Sequence, residues 1–352
     1  MSSKSFDPNA AASEDSGVFG LPYSEKESAL IYLPVPWEAT TSYGGGTSNG
    51  PGAIFEASHQ VDLFDLEVEK PYEPGLFFLE EASKVRDWNK EAKRFAQKII
   101  DVGGDISGKP SLKKDLERVN ELGTRLNDFV EGETRKIFKA KKIPAIVGGD
   151  HSVPFGAIKA AGEVYSNFGI LHFDAHSDTR DAFEGFEWSH ASIMRNVLDH
   201  VPQVKKLVQV GIRDVCEEEI SYCREQGSRV KTFYDFETAQ KKSEGTSWSK
   251  ITQSIVSELP NEVWISFDID GLDPRYCPHT GTPVPGGLEF HEALQLIAAV
   301  AKAGKKIIGF DLNEVSPGPK ENEWDANVGA RMLYKMTAWT LYSQGKAKLL
   351  RA

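Results

Sequence analysis

Short apolar runs separated by longer charged or mixed segments dominate the chain from residue 29 onward. The first, Ala29-Leu30-Ile31-Tyr32-Leu33, has the length and composition of a buried strand. After it comes Ser42-Tyr43-Gly44-Gly45-Gly46-Thr47-Ser48-Asn49-Gly50-Pro51, a loop that leads into a short helix from Gly52 to about His59. Pro51 suits the first turn of that helix, where its missing N–H would have been unpaired in any case. Residues 85–140 are charged and helical in pattern, with a break near Gly108-Lys109-Pro110 and a long second piece from Leu112 to Lys141. Further strand-like runs stand at 143–147, 168–173, 206–210, 229–233, 262–267 and 306–311, with helix-length segments between them. Alternation of this kind predicts an α/β fold: a mostly parallel sheet with helices on both faces. No internal repeat and no linker interrupts it. The expected organisation is a loose N-terminal tail over residues 1–20 and a single domain over 21–352.

Composition narrows the function. The apolar fraction is 40% with seven Trp, enough for a large core. Acids exceed bases by 11, which disfavours nucleic acid or an anionic membrane as partner. Three cysteines (Cys216, Cys223 and Cys277) give an odd count without a Cys-x-x-Cys pair, arguing against a disulfide framework or a thiolate zinc site. The N-terminus lacks a signal-peptide core, and no apolar run approaches the ~20 residues of a membrane span. The expected setting is cytoplasmic.

Three clusters carry chemistry, each at the end of an apolar run. In Ile146-Val147-Gly148-Gly149-Asp150-His151-Ser152, two glycines permit a sharp turn before an acid and a histidine. Alone, His151 reads more naturally as a structural histidine. Phe168–Phe173 runs into Asp174-Ala175-His176-Ser177-Asp178, and residues two apart on an extended segment share a face, so Asp174, His176 and Asp178 converge. Buried together they need a neutralising partner, for which a divalent cation is suited. Val263–Phe267 ends in Asp268-Ile269-Asp270, repeating the pattern, while Asp273 falls out of phase before Pro274 and reads as a turn residue. Two imidazoles and four carboxylates exceed the needs of one tetrahedral zinc. The oxygen excess favours Mn²⁺, and shared carboxylates suit two ions ~3.5–4 Å apart. Ligand type leaves Ni²⁺ and Co²⁺ open.

Taken in order, Gly-Gly-Asp-His-Ser, Asp-Ala-His-x-Asp and Phe-Asp-Ile-Asp-Gly-Leu-Asp-Pro resemble the three signatures of the ureohydrolase superfamily, the arginase and agmatinase family. The resemblance spans residue 30 to the C-terminus. It implies one arginase-like domain with about eight mostly parallel strands, assembled as a homotrimer or homohexamer, and a small guanidino substrate cleaved to urea and an amine. On the matching positions, His151, Asp174, Asp178 and Asp268 would bind one manganese, and His176, Asp174, Asp268 and Asp270 the other. Asp178 also enters the catalytic set. His190, in Trp188-Ser189-His190-Ala191-Ser192, matches the family's active-site histidine and would pass a proton to the departing amine; an imidazole suits that task. Glu314, after the run at 306–311, matches the glutamate that holds the guanidinium.

The substrate's far end is less constrained. Cys216, in Gly211-Ile212-Arg213-Asp214-Val215-Cys216, stands where the animal-type arginase pattern has an Asp for the α-amine. The loop Thr179–Trp188 is acidic and aromatic, with Glu184 and Arg180 as candidate contacts. It favours a cationic or apolar tail and puts agmatine first, although Arg180 leaves guanidino acids open and suits a surface ion pair equally. Two other readings stand beside this one: a deacetylase of similar fold, which would keep one zinc and fewer ligands, and a non-catalytic metal-binding protein, which would have lost a ligand, His190 or Glu314.

Overall fold

In the computed structural model, which describes residues 6–350 except 14, 320 and 321, each of the seven apolar runs is a strand. They are β1 (Leu30–Val35), β3 (Ile143–Gly148), β4 (Phe168–Phe173), β5 (Val204–Ile212), β6 (Val230–Tyr234), β7 (Glu262–Asp268) and β8 (Lys306–Asn313). An eighth, β2 (Leu76–Phe78), had no counterpart in the hydrophobic pattern, being only three residues long at the sheet edge. All eight run parallel in the order β2-β1-β3-β8-β7-β4-β5-β6. A two-stranded antiparallel ribbon pairs Val68–Glu69 with Lys348–Leu349.

The helices are α1 (Gly50–Ser58), α2 (Ser83–Ile100), α3 (Pro110–Lys139), α4 (Phe155–Val164), α5 (Ile193–His200), α6 (Glu217–Glu225), α7 (Asp235–Ser243), α8 (Trp248–Glu258), α9 (Phe290–Lys302) and α10 (Trp324–Ser343). Because side chains alternate along each strand, the sheet presents two apolar faces. On one, Leu171, Ile265 and Leu312 pack with Ile54 of α1, Ile255 of α8, Ile297 of α9 and Met336 of α10. On the other, Ile146, Ile170 and Trp264 pack with Ala92 of α2, Leu126 of α3, Ile158 of α4 and Val197 of α5. Each large side chain so buried contributes about 1.5–3 kcal/mol. Val18 and Phe19, within the stretch expected to be a loose tail, are buried in the first of these layers, Phe19 beside Tyr32 and Tyr334. No helix of the described residues is long and apolar enough to cross a membrane.

The break between α2 and α3 is wider than Gly108-Lys109-Pro110, covering 101–109. The two helices pack on each other, and α3 packs also on α4. Their buried positions follow a helical period: Val85, Ala92, Ala96 and Ile99 on α2, and Val119, Leu122, Leu126 and Val130 on α3.

The four neighbouring strands β3, β8, β7 and β4 release the chain at one edge of the sheet, and the segments that follow them hold the candidate residues. The carboxyl ends of parallel strands are where such folds receive ligands.

Candidate metal and substrate site

At the end of β3 the backbone passes so close to Trp37 that a Cβ on Gly149 would lie 1.9 Å from the Trp37 carbonyl oxygen. Glycine is required there, and the turn delivers Asp150 and His151 into a fully buried position. His151 Nδ1 lies 3.0 Å from Asp174 Oδ2, 3.2 Å from Asp268 Oδ2 and 3.4 Å from Asp178 Oδ2. Across the cluster, His176 Nδ1 lies 3.4 Å from Asp174 Oδ1 and 3.2 Å from Asp270 Oδ2. All six residues expected from the sequence thus come together, with Asp174 between the two imidazoles.

Alternation does not carry Asp178. The chain leaves the extended conformation after β4, and Asp178 reaches the cluster from a left-handed backbone, φ 56°. Its carbonyl accepts from Met194 N at 2.9 Å and Arg195 N at 3.2 Å, which pins the turn to α5. Asp270 arrives by a 3₁₀ turn in which Asp268 Oδ1 accepts from Asp270 N at 2.8 Å. Asp273 forms a turn, its Oδ1 accepting from Arg275 N at 3.0 Å.

The electrostatics ask for positive charge. Burial, then the Asp174 charge, pushes the Asp178 carboxyl well above the usual carboxylate range. Burial, then Asp270, does the same to Asp268. Burial also works against Asp174, but the imidazoles of His172, His151 and His176 hold it well below the usual range. Among the described residues, two donor groups have the spacing to enclose a cation: His151, His172, Asp174 and Asp178, and Asp174, His176 and Asp270. Asp268 stands beside the first. A mixed set rich in carboxylate oxygen, in which the carboxyls oppose one another's ionisation, fits a pair of divalent cations.

His172, Gln209, Ser266 and Asp311 belong to the site and were missed from sequence. Gln209 Nε2 donates to His172 Nδ1 at 3.3 Å, which leaves the imidazole proton on Nε2, facing Asp174 Oδ2 at 2.8 Å. Behind His151, Ser266 Oγ donates to Asp311 Oδ1 at 2.8 Å and therefore accepts from His151 Nε2–H, also at 2.8 Å. Trp264 Nε1 donates to Asp311 Oδ2 at 2.6 Å. This chain fixes the His151 ring with Nδ1 facing the carboxylates. The available signal was parity: His172 and Ser266 share a strand face with Asp174 and Asp268.

Glu314 follows β8 with φ 62°, an uncommon conformation for a side-chain-bearing residue. Its N–H donates to the Gly149 carbonyl at 2.8 Å, and its carbonyl accepts from Thr280 Oγ1 at 2.8 Å. Oε1 accepts from His151 N at 2.9 Å, whereas the buried Oε2 has no hydrogen-bond partner. Burial, then Asp268 and Asp150, pushes this carboxyl well above its usual range. A Cβ on Gly281 would sit 3.1 Å from Oε2, so the glycine keeps space open there.

His190 opens a 3₁₀ turn capped by Ser189, whose Oγ accepts from Ala191 N at 3.3 Å. It is half-buried, Nδ1 has no partner, and burial followed by the nearby His176 charge lowers its pKa to about 4. Phe183 lies edge-on to it, ring centroids 6.1 Å apart. Arg180 and Glu184 are outside the metal cluster. Arg180 lies over the Phe183 ring at 5.3 Å, with Nε 3.7 Å from Glu219 Oε2. Glu184 is half-buried at φ 53°, its Oε2 has no partner, and burial raises its carboxyl. Cys216 caps α6, its N–H donating to Glu219 Oε2 at 3.0 Å.

Residues 28–338 match the sequence profile described as the Arginase family. An N(1)-aminopropylagmatine ureohydrolase of Synechocystis is 30% identical, with 92% of each chain covered. An agmatinase of Bacillus cereus is 29% identical over 84% of this chain and 86% of its own. The proclavaminate amidino hydrolase structure from Streptomyces clavuligerus superposes with a TM-score of 0.71 at 21% identity, covering 95% of this chain and 99% of the other, and shares the fold.

Proposed function

The chain belongs to the arginase family and is a ureohydrolase, a hydrolase of amidine C–N bonds in small guanidino compounds, and from that premise we propose that it converts agmatine to putrescine and urea with two Mn²⁺ per subunit. Glu314 carries the reading of the reacting end. A buried carboxylate oxygen without a partner, held in a left-handed conformation beside the cluster, is matched to a planar guanidinium. His151, Asp174, Asp178 and Asp268 would hold one cation, and His176, Asp174, Asp268 and Asp270 the other. When bound, the two cations supply the charge that makes a hydroxide nucleophile available near neutral pH.

The chain's own groups then divide the work. Glu314 orients the guanidinium so that its carbon faces the cluster. Asp178 accepts a hydrogen bond from the attacking oxygen. His190, neutral and with Nδ1 unpartnered, takes up the proton released by the attacking oxygen and passes it to the amine nitrogen as its bond to carbon breaks. The tail extends toward the 179–188 loop, where the partnerless Glu184 Oε2 suits an ammonium better than a carboxylate. Cys216 offers no charge for an α-amine. The subunits are proposed to assemble as a homotrimer or homohexamer.

N(1)-aminopropylagmatine is a second reading, favoured by the ureohydrolase of that substrate, 92% of whose length this chain matches. Urea release with Mn²⁺ is to be measured for agmatine, aminopropylagmatine, arginine and guanidinobutyrate. The highest kcat/KM is expected with agmatine. A higher value with aminopropylagmatine selects the second reading, and a higher value with either acid overturns the cationic-tail assignment.

A further inference from the structure

We propose that the α2–α3 hairpin, which gives no side chain to the metal cluster, sets substrate preference by holding the 179–188 loop in one conformation. This rests on the reading above that the loop meets the substrate's tail. A third apolar cluster, separate from the two faces of the sheet, is built from Ala96 and Ile99 of α2, Val119 of α3 and one residue from elsewhere, Phe186. Phe186 is fully buried. It closes a tight turn with Phe183, exchanging bonds of 2.8 and 3.2 Å, and both central residues, Glu184 and Gly185, take positive φ as a type I′ turn requires. The anchor and the residue proposed to read the tail are therefore two positions apart.

Three further contacts fix the same loop to α3 and the segment before it. Asn120 Oδ1 accepts from Glu187 N at 3.1 Å, and Thr124 Oγ1 accepts from Trp188 Nε1 at 3.0 Å. The 2.9 Å separating an added Gly104 Cβ from Glu184 Cα shows the connecting segment pressed against the turn. Nearer the start of α2, Asn89 accepts from Glu38 N at 2.9 Å and Lys93 pairs with the Glu38 carboxylate. Glu38 Oε2 in turn gathers Gly46 N and Ser48 N at 2.7 and 3.0 Å, and the loop so formed meets Ser316, two residues past Glu314. One hairpin thus braces two loops. A loop held before binding spares the substrate the cost of ordering it, so bracing is read out as KM for tailed substrates.

The test uses the metal-loaded enzyme and two variants, Phe186→Ala and the milder Asn120→Ala, which removes one hydrogen bond. Amide hydrogen exchange over 181–188, bound metal, and kcat and KM for agmatine and tail-less methylguanidine are measured together. Exchange is expected to quicken and agmatine KM to rise about tenfold in Phe186→Ala, less in Asn120→Ala, with metal content and methylguanidine kcat/KM unchanged. Unchanged exchange overturns the anchoring. Equal losses on both substrates, or loss of metal, overturn it in favour of a merely structural role. Faster exchange with an unchanged agmatine-to-methylguanidine ratio overturns the underlying reading of the loop. A wild-type enzyme that treats the two guanidines alike overturns that reading before any variant is made.

Discussion

Glu314 combines two costs at one position: a side-chain-bearing residue at φ 62°, and a carboxylate oxygen buried without a partner. Costs of this kind are tolerated where a ligand repays them. Glu314→Gln keeps the shape and removes the charge. Loss of a charge-assisted pair is expected to lower kcat/KM for agmatine about 10- to 150-fold. The same change is expected to stabilise the metal-free protein. Because the folded carboxyl titrates above its ordinary 4.5, the unfolded chain gives up its proton first as pH rises. The penalty is therefore absent below 4.5 and grows above it. Thermal melts should place Glu314→Gln above wild type at pH 7 and level with it near pH 4; a lower melting temperature at pH 7 would contradict the buried-charge account. Asp174, His176 and Asp268 were legible because strand parity and burial constrain them in the sequence itself, whereas Asp270, expected from the same parity, reaches the cluster by a 3₁₀ turn. Asp178 was named for the wrong reason, since its left-handed turn is fixed by α5 rather than by alternation. His172 and Asp311 were passed over because each lies inside an apolar run, where one polar residue is hidden by its neighbours.

At the scale of elements, the site depends on loops from different strands being held in register. Arg213, just past β5, is the main tie between two of them. Its guanidinium donates to the carbonyls of Asp270 at 2.7 Å, Val284 at 2.8 Å, and Leu272 and Gly211 at 3.2 Å each. Its own N–H reaches the Ala175 carbonyl at 2.7 Å. Both loops carry donors of the His176–Asp270 half of the cluster. A lysine retains the charge but not the planar fork. Arg213→Lys is expected to weaken binding of one of the two proposed Mn²⁺ by about 10- to 100-fold, leaving the other near wild type. Metal counted after equilibrium dialysis decides this, and equal weakening of both ions would refute it. Such ties were not legible in the sequence. Seven strands were, because each is an apolar run of five or more residues, whereas Leu76–Phe78 has too few residues to show a period. The α2–α3 pair was legible as helices, but Phe186 was not legible as their partner, because an aromatic residue in an acidic loop carries no mark of its distant contact.

Across the whole molecule, apolar packing fills both faces of the sheet, while one edge carries a cluster of buried carboxylates that lack a lysine or arginine partner among the described residues. Asp174, Asp178, Asp268 and Glu314 are all nearly inaccessible and lie within one cluster. Folding without cations must therefore hold like charges together or take up protons to avoid doing so. Cations that bind only the folded chain repay this by mass action, about 2.7 kcal/mol for each site at a concentration a hundredfold above its Kd. For a domain of this size, two such sites correspond to a melting shift on the order of 5–10 °C. Chelation should lower the melting temperature by that amount and Mn²⁺ should restore it. Simple salt-like screening would act at any divalent ion and only at high concentration, so Mg²⁺ at equal ionic strength is the control. Asp268→Asn separates the terms further. It removes one of the opposed carboxylates, so its metal-free form should melt above metal-free wild type. It also removes a donor shared by both proposed cation sites, so added Mn²⁺ should raise its melting temperature by much less. The order of the two proteins is therefore expected to reverse between chelator and Mn²⁺. An Asp268→Asn protein that melts below wild type in both conditions would show Asp268 to be a structural residue rather than a metal donor.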